Sequence, residues 1–199
     1  MKRFAMIAAL AAAVVVLAIG GYYLRMRSAA SKWAGPMKEI VEEEVLHDGN
    51  VTKAHFVSLI DGPVDAVQRA VWAVEDSQKT IENIKLSKLL STKDNTKVVE
   101  MNIAALNLPV QSLVMEFTLV PDQHRIAFRT LKSQVQEIEG SYQFEASPDG
   151  KRTRLDYTST ARDKITLPFP QAVLDSANRE TYVNTVRSVQ KQVSGASGG

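Results

Sequence analysis

Three histidines, His47, His55 and His124, are the first residues to test for chemistry, and their spacing matches none of the patterns that chemistry uses. No two of them form a His-x-x-x-His pair, and Glu44 with His47 supplies only two ligands, short of a zinc site. The chain has no cysteine, so a thiolate nucleophile, a cysteine metal site and a disulfide scaffold are excluded. Neither a metal nor a cofactor is expected. A Gly-x-Ser-x-Gly string, a phosphate loop and a dinucleotide fingerprint are all missing, and Gly20-Gly21 lies in an apolar run where small residues serve helix packing. Glu75-Asp76 comes closest to a carboxylate pair, but adjacent residues point to different sides of a helix, and we read the two as a cap at a helix break. No catalytic residue emerges. What is left is the chemistry of binding.

Alternation supplies the binding surfaces. Leu113, Met115, Phe117 and Leu119 share one strand face, and Val99, Met101, Ile103 and Ala105 repeat the pattern. Ile138, Gly140, Tyr142 and Phe144, then Leu155, Tyr157, Ser159 and Ala161, continue it. This inner face is apolar with a few hydroxyls, and its methionines suit an irregular hydrophobic ligand but equally fill gaps in a dry core. The candidate ligand-binding residues are Met101, Met115, Phe117, Thr130, Tyr142, Tyr157 and Ser159 from the strands, with Phe169 and Val173 from the start of the last helix.

The elements that must position them follow from period and punctuation. Residues 54–60 read as a strand ended by Asp61-Gly62-Pro63, and Val64, Val67, Val71 and Val74 as a helix that breaks and resumes to about residue 83. Strands are expected near 84–91, 97–106, 110–120, 124–132, 135–146 and 152–161, joined by turns too short for parallel crossovers. Leu167-Pro168-Phe169-Pro170 then introduces a long helix to Val193, with Phe169, Val173, Ala177, Val183, Val186, Val189 and Val193 as its apolar stripe. The order β-α-α-β6-α predicts an α+β fold, a seven-stranded antiparallel sheet wrapped around one long C-terminal helix.

That order, with Phe56-Val57-Ser58-Leu59-Ile60, Gly62-Pro63-Val64-Asp65-Ala66-Val67, Glu139-Gly140-Ser141-Tyr142-Gln143-Phe144 and Gly150-Lys151-Arg152-Thr153-Arg154-Leu155-Asp156-Tyr157, resembles the START-like or Bet v 1-like helix-grip superfamily. The likeness is to its polyketide cyclase/dehydrase and lipid-transport branch, which includes coenzyme Q-binding proteins, and covers roughly residues 52–193. It implies a cavity between helix and sheet.

Ahead of this domain stands an uninterrupted apolar run, residues 4–24, bracketed by Lys2 and Arg3 and by Arg25 and Arg27. As a helix it spans roughly 30 Å, the hydrocarbon thickness of a bilayer. It is longer than a signal h-region, and Arg25 and Arg27 separate it from the small-x-small triplet Ser28-Ala29-Ala30, which favours a retained anchor over a cleaved signal peptide. Basic residues flank both ends, so the charge rule does not orient it. The expected organisation is an anchor at 1–27, a stalk at 28–50 with a short amphipathic helix on Met37, Ile40, Val41 and Val45, the domain at 51–194 and a flexible tail at 195–199. A net charge of +2 leaves no basic field for nucleic acid.

The expected function is membrane-tethered binding or shuttling of a hydrophobic small molecule, such as a lipid, isoprenoid or quinone-like body. It is set on the outer side of an inner membrane, with any protein partner unspecified. Two alternatives stand beside it: a cyclase or dehydratase acting on a polyketide-like substrate, and a structural partner in an envelope complex.

Overall fold

The computed structural model describes residues 32–105 and 108–196. The expected anchor at 1–27, the Asn107 turn position and the last three residues of the tail lie outside them, and among the described residues no helix is long and apolar enough to cross a membrane. The chain divides into two compact units, Met1–Pro36 and Met37–Gly199. Of the first, only 32–36 are described, a turn in which the Lys32 ammonium stands 5.6 Å from the Trp33 ring centroid.

The second unit is built on one antiparallel sheet. Its strands are β1 (Lys38–Asp48), β2 (Val51–Asp61), β3 (Ile84–Lys93), β4 (Thr96–Ile103), β5 (Gln111–Val120), β6 (Arg125–Ser133), β7 (Gln136–Ala146) and β8 (Arg152–Asp163), in the spatial order β1-β2-β8-β7-β6-β5-β4-β3. Between β2 and β3 come α1 (Val64–Trp72), a 3-10 turn (Val74–Asp76) and α2 (Ser77–Thr80); α3 (Gln171–Ala196) ends the fold. The six consecutive strands and both helical regions stand where period and turn residues put them.

The stalk helix is a correction: the segment is strand β1, the sheet has eight strands, and residues 37–50 belong to the domain unit. Met37, Ile40, Val41 and Val45 do recur at helical spacing, but tertiary pairing overrides that weak preference. β1 lies antiparallel along β2, and the two-residue loop between Asp48 and Val51 opens with Gly49 at φ +59°, the geometry of a glycine-led hairpin. Asp48-Gly49, read as a helix stop, is a hairpin turn. β1 is also an edge strand, and charges such as the Glu42-Glu43-Glu44 run blunt an edge against further pairing. Its inward residues reach α3, Glu39 meeting Arg187 at 2.5 Å, Glu43 meeting Arg179 at 3.0 Å and His47 meeting Asp175 at 3.2 Å.

Glu75 differs too. Both its carboxylate oxygens accept from the Lys97 ammonium, at 2.8 and 2.7 Å, which also donates to the Trp72 carbonyl at 3.0 Å and lies 4.7 Å from the Trp72 ring. The helix break is therefore pinned to β4 through Glu75, while Asp76 stands at the N-cap position of α2 but makes no side-chain cap bond and accepts instead from the Lys79 ammonium at 2.6 Å.

One backbone feature shapes the interior. A Cβ on Gly140 would collide with the Thr158 carbonyl oxygen and stand 2.7 Å from Phe128 Cζ, so only glycine leaves the ring room to lie against its neighbours. Gly140→Ala is expected to cost about 1–3 kcal/mol by forced overpacking. A denaturant titration checks this, and an unchanged midpoint contradicts it.

Candidate functional site

Between α3 and the sheet lies a cavity of about 210 Å³. Met101 of β4, Met115 and Phe117 of β5, Tyr142 of β7, and Tyr157 and Ser159 of β8 line it, as their common strand phase predicts. Three of the sequence candidates do not. The Thr130 hydroxyl is taken up locally, accepting from the Ile138 backbone N–H at 3.0 Å and donating to Met115 Sδ at 3.4 Å. Phe169 and Val173 are half-buried beside the start of α3 but do not border the void.

The reason is the phase of α3. Val183 and Val186 of its aliphatic stripe are buried in the core, Ala177 and Val189 of the same stripe border the cavity, and Leu174, Asn178, Thr181 and Thr185 beside them face it as well. This face reads as polar in sequence, yet the Thr181 and Thr185 hydroxyls donate back to the Ala177 and Thr181 carbonyls at 2.9 Å each. Thr181 also accepts from the Asn83 side-chain amide at 2.7 Å, so both hydroxyls are engaged within the protein and add little free polarity to the wall.

Tyr182 is the residue that sequence reasoning missed. It is buried, and its hydroxyl lies 2.6 Å from Ser58 Oγ; Ser58, fully buried on β2, in turn donates to the Glu39 carbonyl of β1. One side chain thus ties α3 to two strands. Its signal in the sequence is its position, four residues before Val186 and seven before Val189, on the same stripe of the helix.

The aromatic rings form one connected group. Phe56 stacks on Tyr182 with centroids 5.0 Å apart, Tyr157 on Phe128 at 5.7 Å, and Tyr142 tilts against Tyr157 at 5.1 Å. Burial pushes the phenol pKa values of Tyr142, Tyr157 and Tyr182 upward, so all three are neutral donors across the physiological range. Tyr182 is hydrogen-bonded to Ser58. Exposed Pro109 and Gln171 join Gln111 at the start of β5, Gln136 at the start of β7 and Asp163 at the end of β8 in the lining, and this exposure marks the open end of the cavity. There Gln136 donates to Gln111 at 3.1 Å and Asp163 stands at the rim, its carboxyl raised by burial. Among the described residues no cluster of three His, Cys, Asp or Glu side chains is placed to hold a metal ion.

No protein-family profile and no curated protein sequence matches this chain. Solved structures do. The aromatase/cyclase Zhui from Streptomyces sp. R1128 superposes with a TM-score of 0.66 at 16% identity, over 75% of this chain and 99% of that one. A START superfamily protein from Mycobacterium smegmatis gives 0.59 at 11% over 72% and 98%, and a STAR-related lipid transfer protein fragment from Xanthomonas axonopodis gives 0.55 at 13% over 76% and 98%. At these identities the likeness establishes the fold, which is the START/Bet v 1-like helix grip.

The tyrosines generate a pH prediction. Their folded pKa values lie above the value of about 10 that they take when unfolded, so the folded chain holds these protons more tightly. That share of stability is complete below about pH 10 and is lost as pH rises through the folded values. Of five tyrosines, three are therefore expected to ionise only together with loss of near-ultraviolet circular dichroism in an alkaline titration. Free ionisation of all five in a protein that keeps its native spectrum contradicts this burial.

Proposed function

We propose that this chain binds a hydrophobic small molecule in the cavity beneath α3 and carries it at a membrane to which residues 4–24 tether the domain. The observation that carries the reading is the void itself, an unfilled space of about 210 Å³ among side chains otherwise packed in one core. An engineered apolar cavity of ~150 Å³ accepts benzene, and sites for drug-sized ligands begin near ~300 Å³. The space therefore suits a ring-sized body, or one segment of a longer molecule whose remainder extends through the open end. A complete two-chain lipid is too large for it. A tether adds a purpose, since a carrier within a linker's reach of the bilayer meets a membrane-borne ligand at high effective concentration. The outer side of an inner membrane is the location this reading assigns.

The likeness to an aromatase/cyclase supports a second reading, an enzyme that rearranges a pocket-bound polyketone. Acid–base catalysis of that kind needs an ionisable group poised over the substrate. The cavity offers tyrosine hydroxyls and a rim carboxyl, so binding without turnover is the better-supported reading.

The test uses the full chain isolated from carbonate-washed membranes, followed by solvent extraction and mass spectrometry. The tethered-carrier reading expects the chain to remain in the washed membranes and to yield a hydrophobic species near one per protein. Ala177→Phe, which projects a ring into the void from α3, is expected to remove that species while shifting the melting temperature by only a few degrees. Identical extracts from both proteins contradict the cavity as the binding site, and a mature N terminus at Ser31 contradicts the tether.

A further inference from the structure

Charge is missing from the walls of the cavity. Among the described residues no lysine, arginine or histidine lines it, and the one carboxylate that does, Asp163, sits at the open end. An anionic headgroup drawn inside would lose its hydration with no cation to receive it and would first have to pass Asp163. A cationic headgroup fares little better, because the aromatic faces that would hold it are occupied by one another. Phe128 lies against Tyr142 at 5.4 Å and against Tyr157 at 5.7 Å, and Tyr142 against Tyr157 at 5.1 Å.

Hydrogen bonding narrows the ligand further. Of the three phenols at the cavity, Tyr182 is engaged by Ser58, and Tyr157 has the Ser159 hydroxyl beside it on the same face of β8. Tyr142 is half-buried, borders the void and has no hydrogen-bonding partner among the described residues. A phenol that borders a mainly apolar void without a protein acceptor can donate to a bound ligand, and away from bulk water that hydrogen bond discriminates between ligands with and without an acceptor. We infer that the cavity takes an uncharged ligand bearing a carbonyl-type oxygen, and that this oxygen accepts the hydrogen bond of the Tyr142 hydroxyl. This rests on the cavity-binding reading above and adds the ligand's charge state and the group that recognises it.

The test is calorimetric titration of the full chain in lipid nanodiscs, with empty nanodiscs subtracted, using four probes of similar shape. These are 4-methylacetophenone, 4-methylbenzoate, 4-methylbenzylammonium and 4-ethyltoluene. The ketone is expected to bind at least about ten-fold more tightly than either ion, the ions lacking any partner charge. Tyr142→Phe, with its melting temperature checked against the wild type, is expected to weaken the ketone about five-fold and to leave the hydrocarbon unchanged. Either ion binding as tightly as the ketone overturns the inference while leaving cavity binding intact, as does a ketone affinity untouched by Tyr142→Phe. If none of the four probes binds above empty nanodiscs, the cavity-binding reading itself falls, and the inference with it.

Discussion

A sheet with one apolar face must have that face covered, and the arithmetic of coverage governs this molecule. Eight strands at a spacing of about 4.8 Å extend roughly 34 Å, while a helix with its side chains is about 10–12 Å across. One helix cannot cover a flat sheet of that width, so the sheet curls around α3. The segment from α1 to α2 fills one flank, with Val67, Val71 and Val74 joining the core. What remains between α3 and the middle strands is the cavity. It is the remainder of a packing problem solved with too few helices, and its walls keep the apolar character of the face that had to be buried.

How α3 is held decides whether such a space persists. The ion pairs from Glu39, Glu43 and His47 are largely solvent-exposed, and pairs of this kind contribute about 0–1 kcal/mol each. The firmer hold is apolar. Val186, Val189 and Val193 are almost wholly buried, and Tyr182 links the same helix through Ser58 to β2 and β1. By contrast Gln171, Ala172 and Ser176 at the start of α3 are exposed, and this is the end beside the cavity's opening. The helix is anchored far from the opening and thinly covered next to it, an arrangement that suits ligand entry because lightly buried segments open at the lowest cost.

Period-two alternation made β4 to β8 legible from the sequence, and with them six candidate residues among those that line the cavity, because a half-buried antiparallel strand leaves no doubt about which face is which. Thr130 shared that inward phase, but a backbone N–H claimed its hydroxyl, which no pattern of residue types reveals. β1 was illegible for another reason. Its aliphatic residues fit a helix as well as a strand, and what decides the matter is the backbone pairing with β2 across the Gly49 turn, which side-chain spacing does not show. The cavity face of α3 was hidden by its chemistry, since Thr181 and Thr185 count as polar in a sequence and spend that polarity on their own helix. Tyr182 shares the helical spacing of Val186 and Val189, so its burial was legible, but its bond to Ser58 depends on a strand far upstream in the chain.

The central claim is that the space under α3 is a real, enterable, mainly apolar cavity. Xenon reports on this directly, because it occupies dry apolar voids without needing hydrogen bonds. In a crystal of the protein held under xenon pressure, the account predicts a xenon peak between α3 and the sheet, close to Met115, Tyr142 and Leu174, with the surrounding side chains unmoved. A structure in which those side chains meet and no xenon enters would contradict it.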